Sequence, residues 1–260
     1  MTYSIIGSGF IFPRHIQSIA ETGGEIIDIV NEKSLISWRE MVGRTSADCI
    51  VILTPNYLHY DMIKESLRCG KTVLCEKPMT LSSRETKEFI GQSVYTVLQL
   101  RHHPVIKDIE AKDKNIVEMD IAVYRDEKYH LGWKGQDEKS GGLLFNLGIH
   151  YFDLLIHLFG EPTTITSNIE KKRAGGTLIG VIYFWSWRII IDASPREQHR
   201  IFKINGKDYN FSSKDNLSYE NLHKFVYRDL LSGKGVLPED AMRSICLVEK
   251  LYEQNLETGT

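Results

Sequence analysis

Cys75-Glu76-Lys77-Pro78 decides the fold because of the elements on either side of it. Upstream, Ala47-Asp48-Cys49-Ile50-Val51-Ile52-Leu53-Thr54-Pro55-Asn56 reads as a buried apolar strand that runs into a turn. Leu58 to Cys69 has the pattern of a helix, Gly70 is its stop, and Thr72-Val73-Leu74-Cys75 is a second strand. Strand, helix, strand at this spacing is a parallel crossover unit. Lys77 therefore falls at the carboxyl end of a parallel strand, where open α/β sheets bind ligands.

The same alternation continues in both directions. Tyr3 to Ile6 is a strand that enters Gly7-Ser8-Gly9-Phe10-Ile11-Phe12, and a helix is predicted from about Pro13 to Glu21, stopped by Gly23-Gly24. Glu25 to Val30 is the next strand, Ser34 to Val42 a short helix, Ser82 to Ile90 another helix and Tyr95 to Leu98 a strand. Repeated βα units of this length predict a Rossmann-type, doubly wound parallel sheet over residues 1–98. Its first turn is an incomplete dinucleotide fingerprint. Gly7 permits the tight turn and Gly9 lets the backbone approach a pyrophosphate, but Phe12 stands where the third glycine belongs. Strand two ends in Asn31 rather than an acid. Asn31 can bond a ribose hydroxyl and repels a 2′-phosphate less than a carboxylate would, and Lys33 is close by. NAD is the expected cofactor, with NADP the alternative.

Beyond Leu98 to Leu100 the pattern changes. Ile116 to Tyr124, Ile165 to Ile169, Leu178 to Tyr183, Arg188 to Ile191 and Ile201 to Ile204 read as strands, with Asn205-Gly206 a hairpin turn into Tyr209-Asn210-Phe211. Helices are expected at Leu143 to Phe159, Ser218 to Leu231 and Glu239 to Asn255. Strands with few interposed helices predict a second domain of α+β type over residues 99–260, a largely antiparallel sheet backed by helices.

Ser140-Gly141-Gly142-Leu143-Leu144-Phe145-Asn146-Leu147-Gly148-Ile149-His150-Tyr151-Phe152-Asp153 reads as a loop entering a helix. At helical spacing Asn146, His150, Asp153 and His157 share an edge. His150 can be a core histidine capped by Asp153, or His150, Asp153 and His157 can converge on an ion. Their spacing fits no zinc pattern, so no metal is expected. The Gly-rich entry, which lets a ligand approach the backbone, favours a third reading, in which His150 is an acid–base group. Oxidation of a secondary alcohol needs a base for the hydroxyl proton while hydride leaves the carbon, and histidine titrates near neutrality. His150 is thus the expected base and Lys77 the orienting cation, with the reverse order open.

Composition narrows the rest. With 32 basic and 34 acidic residues in 260, nothing favours nucleic acid or an anionic membrane as a partner. No apolar run approaches the ~20 residues of a membrane span. Tyr3 enters a strand at once, without the apolar stretch of a signal peptide, so a cytoplasmic protein is expected. Cys49, Cys69, Cys75 and Cys246 are scattered and expected as reduced thiols.

Gly7-Ser8-Gly9, Glu76-Lys77-Pro78 and Gly141-Gly142 with Gly148, His150 and Asp153 resemble the glucose–fructose oxidoreductase/inositol dehydrogenase/MocA family over essentially the whole chain. More narrowly, Pro13-Arg14-His15, Pro55-Asn56-Tyr57-Leu58-His59, Leu98-Gln99-Leu100-Arg101-His102-His103-Pro104, Trp133-Lys134-Gly135 and the use of Asn146 are similar to bacterial UDP-2-acetamido-2-deoxyglucuronate 3-dehydrogenases of surface-polysaccharide (lipopolysaccharide) synthesis. The resemblance implies nicotinamide and phosphate contacts at Thr54, Pro55, Asn56 and His59, and a turn at Glu76 and Pro78 that sets Lys77 against the cofactor. It places Gly7, Gly9, Phe10, Ile11 and Asn31 on the dinucleotide, and Lys77, Arg101, Trp133, Lys134, Asn146, His150 and Asp153 around a nucleotide-linked sugar. It also implies a homodimer or homotetramer, with Trp185 and Trp187 on a sheet face, and a 2-oxo acid as an agent of cofactor reoxidation. The chain is shorter than this subgroup between Glu85 and Val94 and around Glu170 to Trp187, which bears on the sugar pocket. The alternatives are the same fold acting on another sugar, a cyclitol or a sugar phosphate, or a non-catalytic NAD(P) sensor, which would need neither Lys77 nor His150.

Overall fold

The computed structural model describes residues 1–162, 165–172, 175–182, 185–191, 198–211 and 222–258. The first sheet has five parallel strands: β1 (Thr2–Ile6), β2 (Glu25–Val30), β3 (Cys49–Ile52), β4 (Thr72–Cys75) and β5 (Val94–Thr96), in the order β2-β1-β3-β4-β5. Between them run α1 (Phe12–Glu21), α2 (Trp38–Arg44), α3 (His59–Arg68) and α4 (Ser83–Lys87). The run Cys49-Ile50-Val51-Ile52 is apolar throughout, with no alternation, because both faces of its strand are covered. Tyr3, Ile5, Val51 and Leu74 belong to one buried cluster, while Ile6, Ile50, Ile52 and Val73 belong to another.

The second sheet is largely antiparallel. It follows with β6 (Val117–Val123), then α5 (Glu127–Leu131), α6 (Asp137–Ser140), α7 (Ile149–Phe159), β7 (Ile165–Lys172), β8 (Gly175–Ile182), β9 (Trp185–Ile191), β10 (His199–Ile204) and β11 (Lys207–Asn210). Strand order is β11-β10-β6-β9-β8-β7, antiparallel except for the central β6–β9 pair. Asn205 (φ 52°) and Gly206 (φ 87°) form the expected hairpin turn, both in the left-handed region that a two-residue hairpin of this kind requires. The chain closes with α8 (His223–Leu231) and α9 (Pro238–Thr258). Helix α8 returns to pack on α1, and its Val226, Tyr227 and Leu230 complete the cluster under Tyr3 and Val51. The far end of the chain thus covers one face of the first sheet, while α9 packs against α4 and α7.

Several local expectations shift. The second helix begins at Trp38 rather than Ser34, because the extended Ser37 caps it and its Oγ accepts the Glu40 N–H at 3.1 Å. The fourth helix stops at Lys87, short of Ile90. The apolar helix expected from Leu143 begins as a π-helical turn at Leu144–Gly148 before α7. The run Asp137–Phe159 is, by length and hydropathy, enough to cross a bilayer, contrary to expectation, but 67% of its window is buried inside the fold. All four cysteines are free. Tyr183 and the expected helix start at Ser218 lie outside the described residues, as do the side chains of Trp185 and Trp187.

Candidate active site

A cleft of about 990 Å³ runs along the carboxyl ends of β1 to β4. At the end of β1, Gly7 has φ +101° and donates its N–H to Val30 O at 2.7 Å. A Cβ there would lie 2.9 Å from the Leu53 carbonyl carbon and oxygen, so only glycine fits. At Gly9 a Cβ would meet nothing within 4 Å, which leaves the turn open for a ligand to approach the backbone. Gly7, Gly9, Phe10 and Ile11 all line this end of the cleft. Phe12, at the missing third glycine, begins α1 and is only partly buried. The cradle fits a pyrophosphate at a helix N-terminus.

Asn31 also lines the cleft, but its amide is committed: Nδ2 donates to Ser8 Oγ at 2.8 Å and Oδ1 accepts the Lys33 N–H at 2.8 Å. Its neighbour Glu32 lines the same wall, with Leu35 and Trp38 as apolar surface. Nothing in the pattern of the sequence pointed to these three, because Glu32 and Leu35 sit on an irregular loop and Trp38 opens α2 at its end, so only the fold fixes where they face. Thr54, Pro55 and Asn56 line the cleft after β3. Asn56 makes no helix cap. It is buried and donates from Nδ2 to Ser140 O at 2.9 Å, joining the two halves of the site.

His59 departs from its expected role as a cofactor contact. It is fully buried, with Nδ1 2.7 Å from Pro78 O and Nε2 2.9 Å from Thr54 O, so it ties the β3 turn to the Lys77–Pro78 turn, whose peptide is cis. Arg101 and Asp153 also depart from expectation, since neither lines the cleft. Arg101 forks onto Asp153 through Nη2–Oδ1 at 2.7 Å and Nε–Oδ2 at 2.8 Å. Burial pushes the Asp153 carboxyl up and the fork opposes it. The pair is a strut between the turn after β5 and α7, and it leaves Asp153 unavailable to cap His150. Pro104 starts a short 3₁₀ turn. Among the described residues the one converging set of His and acidic groups is His15, Glu76 and His223, whose ligand atoms lie within 4.8 Å of one another. It does not include His150, Asp153 and His157.

The chemical end of the cleft is built around Lys77. Its Nζ donates to the backbone oxygen of Asn146 at 2.7 Å, and Asn146 bonds the Tyr129 hydroxyl through its own amide. Asn146 lies in the π-helical turn, a distortion frequent at functional sites. Gly142 (φ +76°) makes the sharp entry, where a Cβ would come within 2.6 Å of the Tyr252 hydroxyl. His150 follows one turn later, half-buried, and its Nδ1 has no hydrogen-bond partner. Burial first, then the Lys77 charge, hold the His150 imidazole well below its ordinary value. Burial also pulls the Lys77 ammonium down to about 8; Glu76 opposes this, and the charges of Lys134 and Arg125 reinforce it.

Trp133 and Lys134 line the cleft. The segment Tyr129 to Lys139 around them is folded into α5, a 3₁₀ turn at Trp133–Gly135 and α6. Lys134 Nζ lies 5.7 Å from the Trp133 ring centre and 5.8 Å from that of Tyr129. Arg125 joins this group over Tyr129 at 5.4 Å. Sequence reasoning missed Arg125, in the turn between β6 and α5, and Tyr129, on α5 itself.

Comparison with known proteins fits this architecture. The profile described as oxidoreductase family, NAD-binding Rossmann fold, matches residues 30–92, and that described as oxidoreductase family, C-terminal alpha/beta domain, matches residues 114–178. The solved WlbA (WbpB) dehydrogenase of Thermus thermophilus is 27% identical with a TM-score of 0.79, over 94% of this chain and 92% of that one. It has been crystallised with NAD and UDP-GlcNAcA, and with NAD and alpha-ketoglutarate. Scyllo-inositol 2-dehydrogenase (NADP(+)) IolW of Bacillus subtilis is 26% identical over 66% of this chain and 53% of its own length. The Escherichia coli 2,7-anhydro-N-acetylneuraminate hydratase is 28% identical over 56% of this chain and 43% of its own length. The chain spans about half the length of the curated relatives it matches. The chain thus matches both domain profiles of the glucose–fructose oxidoreductase/inositol dehydrogenase/MocA oxidoreductase family, in order and one on each sheet.

Proposed function

We propose that the chain oxidises the third carbon of a nucleotide-linked amino sugar or its uronate, of UDP-GlcNAcA type, to a 3-keto sugar for surface-polysaccharide synthesis, with NAD as acceptor. The observation that carries this reading is the meeting, at one end of the cleft, of Lys77, Asn146 and the cation Lys134, with the Arg125 charge close enough to act on Lys77. A cationic end with two aromatic rings suits a sugar that carries an anionic group. The neighbour crystallised with NAD and UDP-GlcNAcA supports the same class of substrate. A neutral cyclitol would make no use of Lys134 or Arg125.

Bound in the cleft, NAD supplies the acceptor for the hydride that leaves the carbinol carbon. The Gly7–Gly9 turn holds the pyrophosphate, and Trp133 and Lys134 hold the sugar. The hydroxyl proton goes to Lys77 Nζ, with the Asn146 carbonyl fixing the amine. This reverses the order expected from sequence. Supporting the reversal, Lys77 lines the cleft and titrates at about 8, near the operating range of a base, whereas His150 is held neutral far below its usual range. His150 does not line the cleft, and its neutral imidazole backs this end of the site from α7 without taking the proton.

The test is absorbance at the reduced-nicotinamide band with purified protein, NAD and a panel of UDP-amino sugars, their uronates, inositols and sugar phosphates. A 2-oxo acid is then added to reoxidise the cofactor. A signal with UDP-GlcNAcA that the 2-oxo acid reverses is expected. A signal with an inositol alone overturns the substrate assignment, and NAD binding without turnover on any member favours the sensor.

A further inference from the structure

Behind Lys77, a buried polar chain that the reaction as described does not use runs inward from Glu76, which itself lines the cleft. Tyr227 Oη and His15 Nδ1 are 2.8 Å apart, and His15 Nε2 is 3.0 Å from Glu76 Oε1. The other carboxylate oxygen, Oε2, accepts the Lys77 backbone N–H at 3.2 Å. His223 Nε2 lies 3.8 Å from Glu76 Oε1, and its ring meets that of His15 edge-on at 5.1 Å. His15, Tyr227 and His223 are all 0% exposed. Burial keeps His15 neutral. A neutral ring satisfies the chain in one direction only: Tyr227 O–H donates to Nδ1, and Nε2–H donates to Glu76. Glu76 then accepts on both oxygens and stays ionised beside Lys77.

We propose that His15, braced by Tyr227, is a positioning residue for the reaction, holding the Glu76 carboxylate fixed and charged against the Lys77 turn so that α8 controls the residue that faces substrate. The inference rests on Lys77 being the proton acceptor described above. Three elements distant in sequence supply the chain: α1, the turn after β4, and α8. A purely structural role for α8 asks only for apolar contacts with Tyr3 and Val51, and would not require a tyrosine hydroxyl and two buried histidines to be placed on a single carboxylate. Burial alone would raise the Glu76 carboxyl, but the hydrogen bond from His15 and the nearness of His223 outweigh it and hold the group well below its ordinary range. Cys75 and His59 also face Glu76. Lys77 faces Glu76, Lys134, Arg125 and His150, and of these only Glu76 favours its charged form. Weakening the carboxylate must therefore lower the pH at which Lys77 gives up its proton.

The experiment is pH-dependent competitive acetylation of Lys77, read by mass spectrometry on the full chain, which needs neither substrate nor turnover. The unmodified protein should show a midpoint of about 8. Glu76→Gln should lower it, His15→Asn should lower it by about half a unit or more, and Tyr227→Phe should lower it by less. Tyr227→Phe keeps the ring packing, so it remains informative if His15→Asn fails to fold. An unchanged midpoint in a folded His15→Asn overturns the proposal, as does an unchanged midpoint in Tyr227→Phe where His15→Asn does not fold, or in Glu76→Gln. If the shifts appear but no sugar is oxidised, the substrate reading falls while the positioning of Lys77 by His15 stands.

Discussion

Arg101→Met is the substitution on which the substrate-contact and strut readings of Arg101 differ most. The Arg101 and Asp153 side chains are 12% and 2% exposed and joined by two hydrogen bonds of 2.7 and 2.8 Å. Methionine keeps most of the volume but leaves the Asp153 carboxylate buried without its partner. Breaking one side of a buried pair costs about 3–5 kcal/mol. For a chain of this size that is about 6–20 °C in Tm. The second contact of Arg101, to the half-exposed Asp240 at 3.3 Å, adds little. The assay is urea denaturation of Arg101→Met, Asp153→Leu and the double variant, with NAD-linked turnover measured on each. The single Arg101→Met should be strongly destabilised. The double variant should recover most of the loss, because replacing a whole buried pair with apolar groups is close to neutral. Turnover should fall through the seating of α7, which carries His150 three residues before Asp153. An Arg101→Met protein with an unchanged urea midpoint and a large rise in KM for the sugar would refute the strut and return Arg101 to the substrate.

Further outcomes follow from the site. Lys77→Met should lower kcat by about 10²–10⁴-fold while calorimetric NAD binding survives. In the unmodified protein Lys77 is protonated below about 8 and accepts a proton only above it. The kcat/KM profile should therefore rise with pH through that value, from about a tenth of its plateau at pH 7. Arg125→Gln removes a positive charge that favours the neutral amine, so the same limb should move to higher pH. Gly7→Ala forces a Cβ to within 2.9 Å of the Leu53 backbone at φ +101°, and should cost about 1–3 kcal/mol, read as weaker NAD binding by calorimetry and a lower Tm.

Elements whose signals are local can be read directly along the chain. Unbroken apolar runs such as Cys49-Ile50-Val51-Ile52 mark strands covered on both faces, Gly7 and Asn205-Gly206 mark turns that need positive φ, and the place of Lys77 after β4 marks the site. These follow from sterics and burial within a few residues. What each polar group does once it is buried emerges only from the folded molecule, because it depends on partners far along the chain. Arg101 and His59 look in the sequence like ligand contacts, yet Asp153, 52 residues on, and Pro78, 19 residues on, commit them to the scaffold. His15 carries no recognisable role until α8 brings Tyr227, 212 residues away, to its ring. Arg125 and Glu32 enter the site on loops, where no periodicity fixes direction. Burial sets the cost of an unpaired charge, and long-range packing alone says which group is there to pair with it.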